Sequence, residues 1–138
     1  MSQPFHYSFH VRTLDEARHF YGELLGCREG RSTSDWVDFD FFGNQISCSV
    51  TGPVLSTHDT HKVDGVAVPM PHFGAILGWN QFHAAAERIR RAGLPFIIEP
   101  RARFEGEPGE QMTMFLRDPS GNALEFKAFK NPEHVFTA

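Results

Sequence analysis

Cysteine is scarce in this chain: Cys27 and Cys48 are the only two among 138 residues. Two thiols without a spacing pattern make neither a disulfide framework nor a zinc-thiolate site, and a reducing cytoplasm is the expected compartment. Trp and Tyr are also scarce, with two of each, whereas Phe occurs 14 times. Rings without a polar end suit strands packed under helices, or the wall of an apolar pocket. Positive charge is in deficit, 13 Lys and Arg against 17 Asp and Glu, for a net charge of −4. The densest basic group, Arg88, Arg90 and Arg91, falls late in a helical stretch, where cations complement the helix dipole. Nucleic acid is therefore not an expected partner. No apolar run reaches the ~20 residues of a membrane span and the first residues carry no leader pattern, so no membrane partner is expected either. The expected partner is a small molecule. The chain is long enough for one self-sufficient core without disulfides, and 1–138 is expected to form a single domain.

The patterning predicts α+β structure. Phe5, Tyr7, Phe9 and Val11 alternate with His6, Ser8 and His10, as in a strand with one apolar and one polar face. Thr13-Leu14-Asp15-Glu16 reads as a capping box opening a helix to about Leu25, with Gly26 as its left-handed stop. Trp36 to Phe41 and Gln45 to Val50 read as a hairpin around Gly43-Asn44. Thr51 to Pro71 is rich in Gly, Pro, Ser and Thr and reads as a linking loop with a short strand near Val66. Phe73 to Leu77 is a strand, Asn80 caps a helix through Ala92, and Phe96 to Ile98 is a short apolar strand. Pro100 to Gly109 reads as a mobile loop, and Gln111 to Arg117 with Ala123 to Phe129 as a final hairpin.

These elements repeat. Residues of about 1–52 and 70–130 each read βαβββ, with the Gly43-Asn44 hinge matching Gly121-Asn122. The alignment pairs His6 with His72 and Ser47 with Glu125. Polar residues alternating with core residues on these strands imply two modules whose curled mixed sheets surround a polar cleft, with helices outside. Two imidazoles and one carboxylate in related places are enough to hold a divalent metal with positions left open for substrate. Glu125, among apolar neighbours, needs a partner in any case.

The runs Val11-Arg12-Thr13-Leu14-Asp15-Glu16-Ala17, Phe20-Tyr21, Leu25-Gly26 and, above all, Asp118-Pro119-Ser120-Gly121-Asn122-Ala123-Leu124-Glu125 resemble the vicinal oxygen chelate superfamily. That superfamily contains glyoxalase I, bleomycin-resistance proteins, fosfomycin-resistance enzymes, methylmalonyl-CoA epimerase and extradiol dioxygenases. The resemblance implies that His6, His72 and Glu125 are metal ligands. It also implies a homodimer, because members build their cups from paired modules, sometimes from different chains. Ser47 stands where a glyoxalase I would carry a fourth ligand and an epimerase a Gln. Ser8 falls where the fosfomycin thiol transferases carry a Thr, but their potassium loop has no counterpart.

Extradiol dioxygenases use His, His and Glu around Fe(II), and the open face of such a triad suits a catecholate with dioxygen. Their Tyr ten residues before the Glu is Phe115 here, and the preceding loop offers Glu105, Glu107 and Glu110 in place of a His. The favoured expectation is a dioxygenase-like enzyme acting on a small aromatic or vicinal-oxygen substrate. Fe(II) or Mn(II) is expected as the metal, with Zn or Ni as alternatives. His10, taken as about 6–7 Å from His6 along the strand, and Ser8 are the candidate catalytic residues. The alternatives are a metal-free binding protein of the bleomycin-resistance kind, or a thiol transferase, lyase or isomerase.

Overall fold

A computed structural model describes residues 3–138, apart from the side chain of Thr60; Met1 and Ser2, the expected start of the first repeat, lie outside the described residues. The chain divides into two compact units, Met1–Ser56 with Asp118–Asn122, and Thr57–Arg117 with Ala123–Ala138.

In the first unit, β1 (His6–His10) leads into a helix, followed by β2 (Arg28–Ser32), β3 (Trp36–Phe41) and β4 (Asn44–Ser49) in the sheet order β1-β4-β3-β2. The alternation sorts the faces as expected. Phe9, Val37, Phe39, Phe41, Ile46 and Cys48 are buried, and the Tyr21 ring lies 5.8 Å from Phe9 and 5.9 Å from Phe39. The helix begins with α1 (Leu14–Ala17), where Thr13 Oγ1 accepts the Glu16 N–H at 3.1 Å. Only half of the capping box forms, because the Glu16 carboxylate takes the Arg12 guanidinium at 2.8 Å. The helix continues through Arg18–Leu24 in wider π-type turns, and the Leu25 N–H donates to the Phe20 carbonyl five residues back at 3.0 Å. Gly26, at φ +76°, ends it.

The second unit holds β5 (His58–Val63), β6 (Val66–Met70), β7 (Phe73–Leu77), α2 (Trp79–Arg91), β8 (Phe96–Arg103), β9 (Gln111–Arg117) and β10 (Ala123–Phe129). Its main sheet runs β7-β10-β9-β8, the same order as the first, so the βαβββ duplication is present and neither sheet closes into a barrel. The registers also agree. Ser8 lies opposite Ser47 across the parallel β1 and β4, and Gly74 lies opposite Glu125 across the parallel β7 and β10. His6 and His72 each sit two residues earlier, as the Gly-Asn alignment requires.

Four boundaries differ from expectation. The linking segment is a hairpin, β5 with β6, turned at Asp64-Gly65, and its mostly polar strands pack Val63 and Val68 against Ile98 and Phe115. The first repeat's fourth strand, β2, is exposed throughout and so carries no apolar signal. Strand β8 continues to Arg103, into the expected mobile loop, with Arg101 and Arg103 held by Asp64 at 3.5 and 3.0 Å. Helix α2 is capped by Gly78 rather than Asn80, with Gln81 Oε1 accepting the Gly78 N–H at 3.2 Å.

Candidate functional site

The second unit brings two of the expected ligands together. His72 Nε2 lies 3.3 Å from Glu125 Oε1, and the two side chains are only 19% and 11% exposed. His72 Nδ1 is 2.8 Å from the Pro69 carbonyl oxygen, an acceptor only, so this nitrogen carries the ring proton. In the neutral imidazole, Nε2 is then an unprotonated lone pair aimed at a carboxylate oxygen. Two acceptors do not attract at that distance, so the pair calls for a cation between them or a proton on Nε2. The other carboxylate oxygen, Glu125 Oε2, accepts the Thr113 hydroxyl at 2.6 Å. Phe115 walls one side, its ring edge-on to His72 at 5.0 Å. The two side chains line a cavity of about 260 Å³ with Phe73, Gly74, Ala75, Ile76 and Lys127. An imidazole and a carboxylate, each fixed by an outer hydrogen bond, are what a metal site requires of its ligands.

His6 belongs to the first unit. Its Nδ1 meets Gln45 Oε1 at 2.6 Å, and its Nε2 meets the Ser8 hydroxyl at 3.1 Å. Gln45 Nε2 reaches Asp38 Oδ2 at 3.5 Å, and Ser47 Oγ donates to Asp38 Oδ1. With Gln45 oriented in this way, Nδ1 holds the proton and Nε2 is the acceptor, the tautomer a metal ligand needs. Among the described residues, no three His, Cys, Asp or Glu side chains of one chain gather into a group that could hold a metal ion.

Ser8 touches His6, but His10 does not stand beside it. Four residues of strand separate His6 from His10, about 13 Å at ~3.3 Å per residue, which corrects the shorter expected spacing. The His10 ring packs over Gly52, where an added Cβ would come within 2.8 Å of it. Phe115 is fully buried and bears no hydroxyl, so the proton donor of the dioxygenase pattern has no counterpart at that position.

The Asp118-Pro119-Ser120-Gly121-Asn122 motif builds the first unit. Asp118 Oδ1 accepts the backbone N–H groups of Ser120 and Asn122 at 2.9 and 2.8 Å. Oδ2 accepts the Tyr21 hydroxyl at 2.8 Å and Asn122 Nδ2 at 2.9 Å, and Asn122 also donates to the His10 carbonyl. Burial pushes the Asp118 carboxyl up, against the pull of these donors, and pushes the Tyr21 hydroxyl well up. Burial also raises the Cys48 thiol, which is thus an inert core group. Pro69, Thr113, Asp38 and Lys127 are the site residues that sequence reasoning missed. Of these, Asp38 and Lys127 left a signal, as polar members between buried neighbours, Val37 and Phe39 for the one and Phe126 and Ala128 for the other.

No curated protein matches the chain. A solved glyoxalase/bleomycin resistance protein/dioxygenase from Alicyclobacillus acidocaldarius is 32% identical over 98% of this chain and 97% of its own, with a TM-score of 0.77. A fosfomycin resistance protein from Listeria monocytogenes is 19% identical over 98% and 99%, with a TM-score of 0.71. A lactoylglutathione lyase from Agrobacterium tumefaciens is 17% identical over 93% and 94%, with a TM-score of 0.65. At these last two identities the likeness is one of fold. Residues 3–126 match the family profile, and the chain belongs to the Glyoxalase/Bleomycin resistance protein/Dioxygenase superfamily.

Proposed function

We propose that the chain is a metal-dependent enzyme, dioxygenase-like, that acts on a small aromatic or vicinal-oxygen substrate. The observation that carries this is the His72–Glu125 pair, two lone-pair donors 3.3 Å apart with their far sides fixed by Pro69 and Thr113. His6 is the third ligand. The third ligand is supplied within a homodimer, the assembly in which members of this superfamily pair their modules. The edge strands β1 and β7, and the half-exposed Phe5 and Ile76 beside and on them, suit such pairing. Two imidazoles and one carboxylate with open positions are the ligand set of non-heme Fe(II) oxygenases, which places Fe(II) or Mn(II) ahead of Zn or Ni. Such an ion, when bound, supplies Lewis acidity and open positions for two neighbouring substrate oxygens. The protein's part is to keep both ligands in their binding protonation states, to exclude water with Phe115, and to seat the substrate in the cavity. Ser8, hydrogen-bonded to His6, supplies a hydroxyl for handling a proton.

The test is metal analysis of untagged protein purified without chelator, followed by oxygen uptake with catechol after loading with Fe(II). About one ion per chain, lost in Glu125→Ala, with Fe(II)-dependent uptake, is the expected result. Metal-free protein that binds aromatic compounds tightly would instead make this a binding protein. Metal without oxygen uptake would move the chemistry to the transferase, lyase or isomerase branches.

A further inference from the structure

The cavity beside His72 and Glu125 has a third charged wall. Lys127 lies two residues after Glu125 on the same face of β10, opposite Thr113 on β9 and Ile76 on β7. It is part-buried, and no ion pair or hydrogen bond to it is present among the described residues. The obvious partner, Glu125, is already engaged by Thr113 and turned towards His72. An ammonium group kept in a cavity without a carboxylate of its own is free for a ligand's charge. The remaining wall is apolar, with Phe73, Ala75 and Ile76. At about 260 Å³ the space falls below the roughly 300–1,000 Å³ of drug-sized pockets, so it suits a small body.

We infer that Lys127 selects an anionic substrate, a small aromatic or branched organic acid whose carboxylate, phosphonate or ionised hydroxyl meets the ammonium while its apolar body lies on Ile76. This deepens the proposed function and rests on reading the cavity as the substrate site. The charges agree with it. A divalent ion at His72 and Glu125, together with Lys127, leaves the wall at two positive charges after one carboxylate is subtracted, so an anion is favoured over its neutral isostere.

The test compares benzoate with benzamide, equal in shape and different in charge, by calorimetric titration of the full chain, first metal-free and then loaded with Mn(II). Wild-type protein should prefer benzoate by about tenfold or more without metal, the size of one charge-assisted hydrogen bond. Lys127→Met should abolish the preference, and Lys127→Arg should keep most of it. Lys127→Gln replaces the Met variant if that one does not fold. Equal binding of the two compounds, no binding of either benzoate or phenylphosphonate, or a preference that survives Lys127→Met would each overturn the inference. Because the first comparison is metal-free, its failure is distinct from failure of the metal reading, which Glu125→Ala reports through metal content.

Discussion

Thr113→Val isolates the support that one hydroxyl gives to one proposed metal ligand, Glu125. The Thr113 hydroxyl donates to Glu125 Oε2 at 2.6 Å, and Thr113 is fully buried, so water cannot take over the bond. Valine keeps the volume and the β-branch that suits an inner strand, so β9 should fold unchanged. The lost bond is a hydrogen bond to a charged acceptor, worth about 1.5–3 kcal/mol. At 1.4 kcal/mol per factor of ten, that is roughly 10- to 150-fold in affinity. Loss of an outer partner of a metal ligand typically weakens binding by about 10- to 100-fold, the same range. Metal-free protein titrated with Mn(II), with free ion followed by electron paramagnetic resonance, should show a Kd weakened by about this factor. Thr113→Ser should recover most of it. Mn(II) binding by Thr113→Val within twofold of wild type would mean that Thr113 does not orient a ligand, and that the short bond is only a packing feature of β9 and β10.

Two further variants probe how the fold holds the site. Tyr21→Phe removes a fully buried donor to Asp118 and should cost about 1.5–3 kcal/mol at pH 7, roughly 3–12 °C in Tm. The Asp118 carboxyl is already raised by burial, and losing a donor that favours its charged form raises it further. A raised carboxyl contributes stability that is present below its unfolded value near 3.9 and is lost as pH rises through the folded value. The Tyr21→Phe penalty should therefore shrink towards pH 3.5, and an equal penalty at pH 3.5 and 7 in thermal melts would sink this account. Gly74→Ala drives a Cβ into the Glu125 carbonyl oxygen, an overlap with backbone that only separation of β7 from β10 relieves. It should cost about 3 kcal/mol or more and abolish metal binding; a soluble variant with wild-type Tm and metal content would refute the register of these strands.

The parts legible in sequence were those carried by period and turn chemistry. Val37, Phe39 and Phe41 alternate with polar residues, Thr13 caps, Gly26 stops, and the two Gly-Asn hinges align. The His72–Glu125 approach was legible for the same reason, since matching hinges fix matching registers. The parts that were not legible have no local signature. Strand β2 exposes both faces, so its residues show no alternation. The β5–β6 hairpin depends on Val63 and Val68 meeting Ile98 and Phe115, distant in sequence. Pro69 acts through its carbonyl, which every residue has, and Thr113 through a neighbour reached only once β9 and β10 pair. The Asp118 motif was legible as a family mark but not as a clamp, because its partner Tyr21 lies 97 residues away.

The duplication also bears on how many ligands the proposed metal site could draw from each repeat. The address that holds Glu125 in β10 holds Ser47 in β4, and a hydroxyl–carboxylate pair joins neighbouring strands in both units. The arrangement is reversed between them. In the second unit the carboxylate is on β10 beside His72 and the hydroxyl on β9; in the first the hydroxyl is on β4 and the carboxylate, Asp38, on β3. Asp38 is thereby spent on Ser47 and, through Gln45, on fixing His6 Nδ1. His6 is left with an amide and a hydroxyl as its neighbours in place of a carboxylate. One unit therefore offers an imidazole with a carboxylate and the other an imidazole alone. The proposed metal reading therefore has three ligands to draw on, a number that leaves open positions at an ion for substrate.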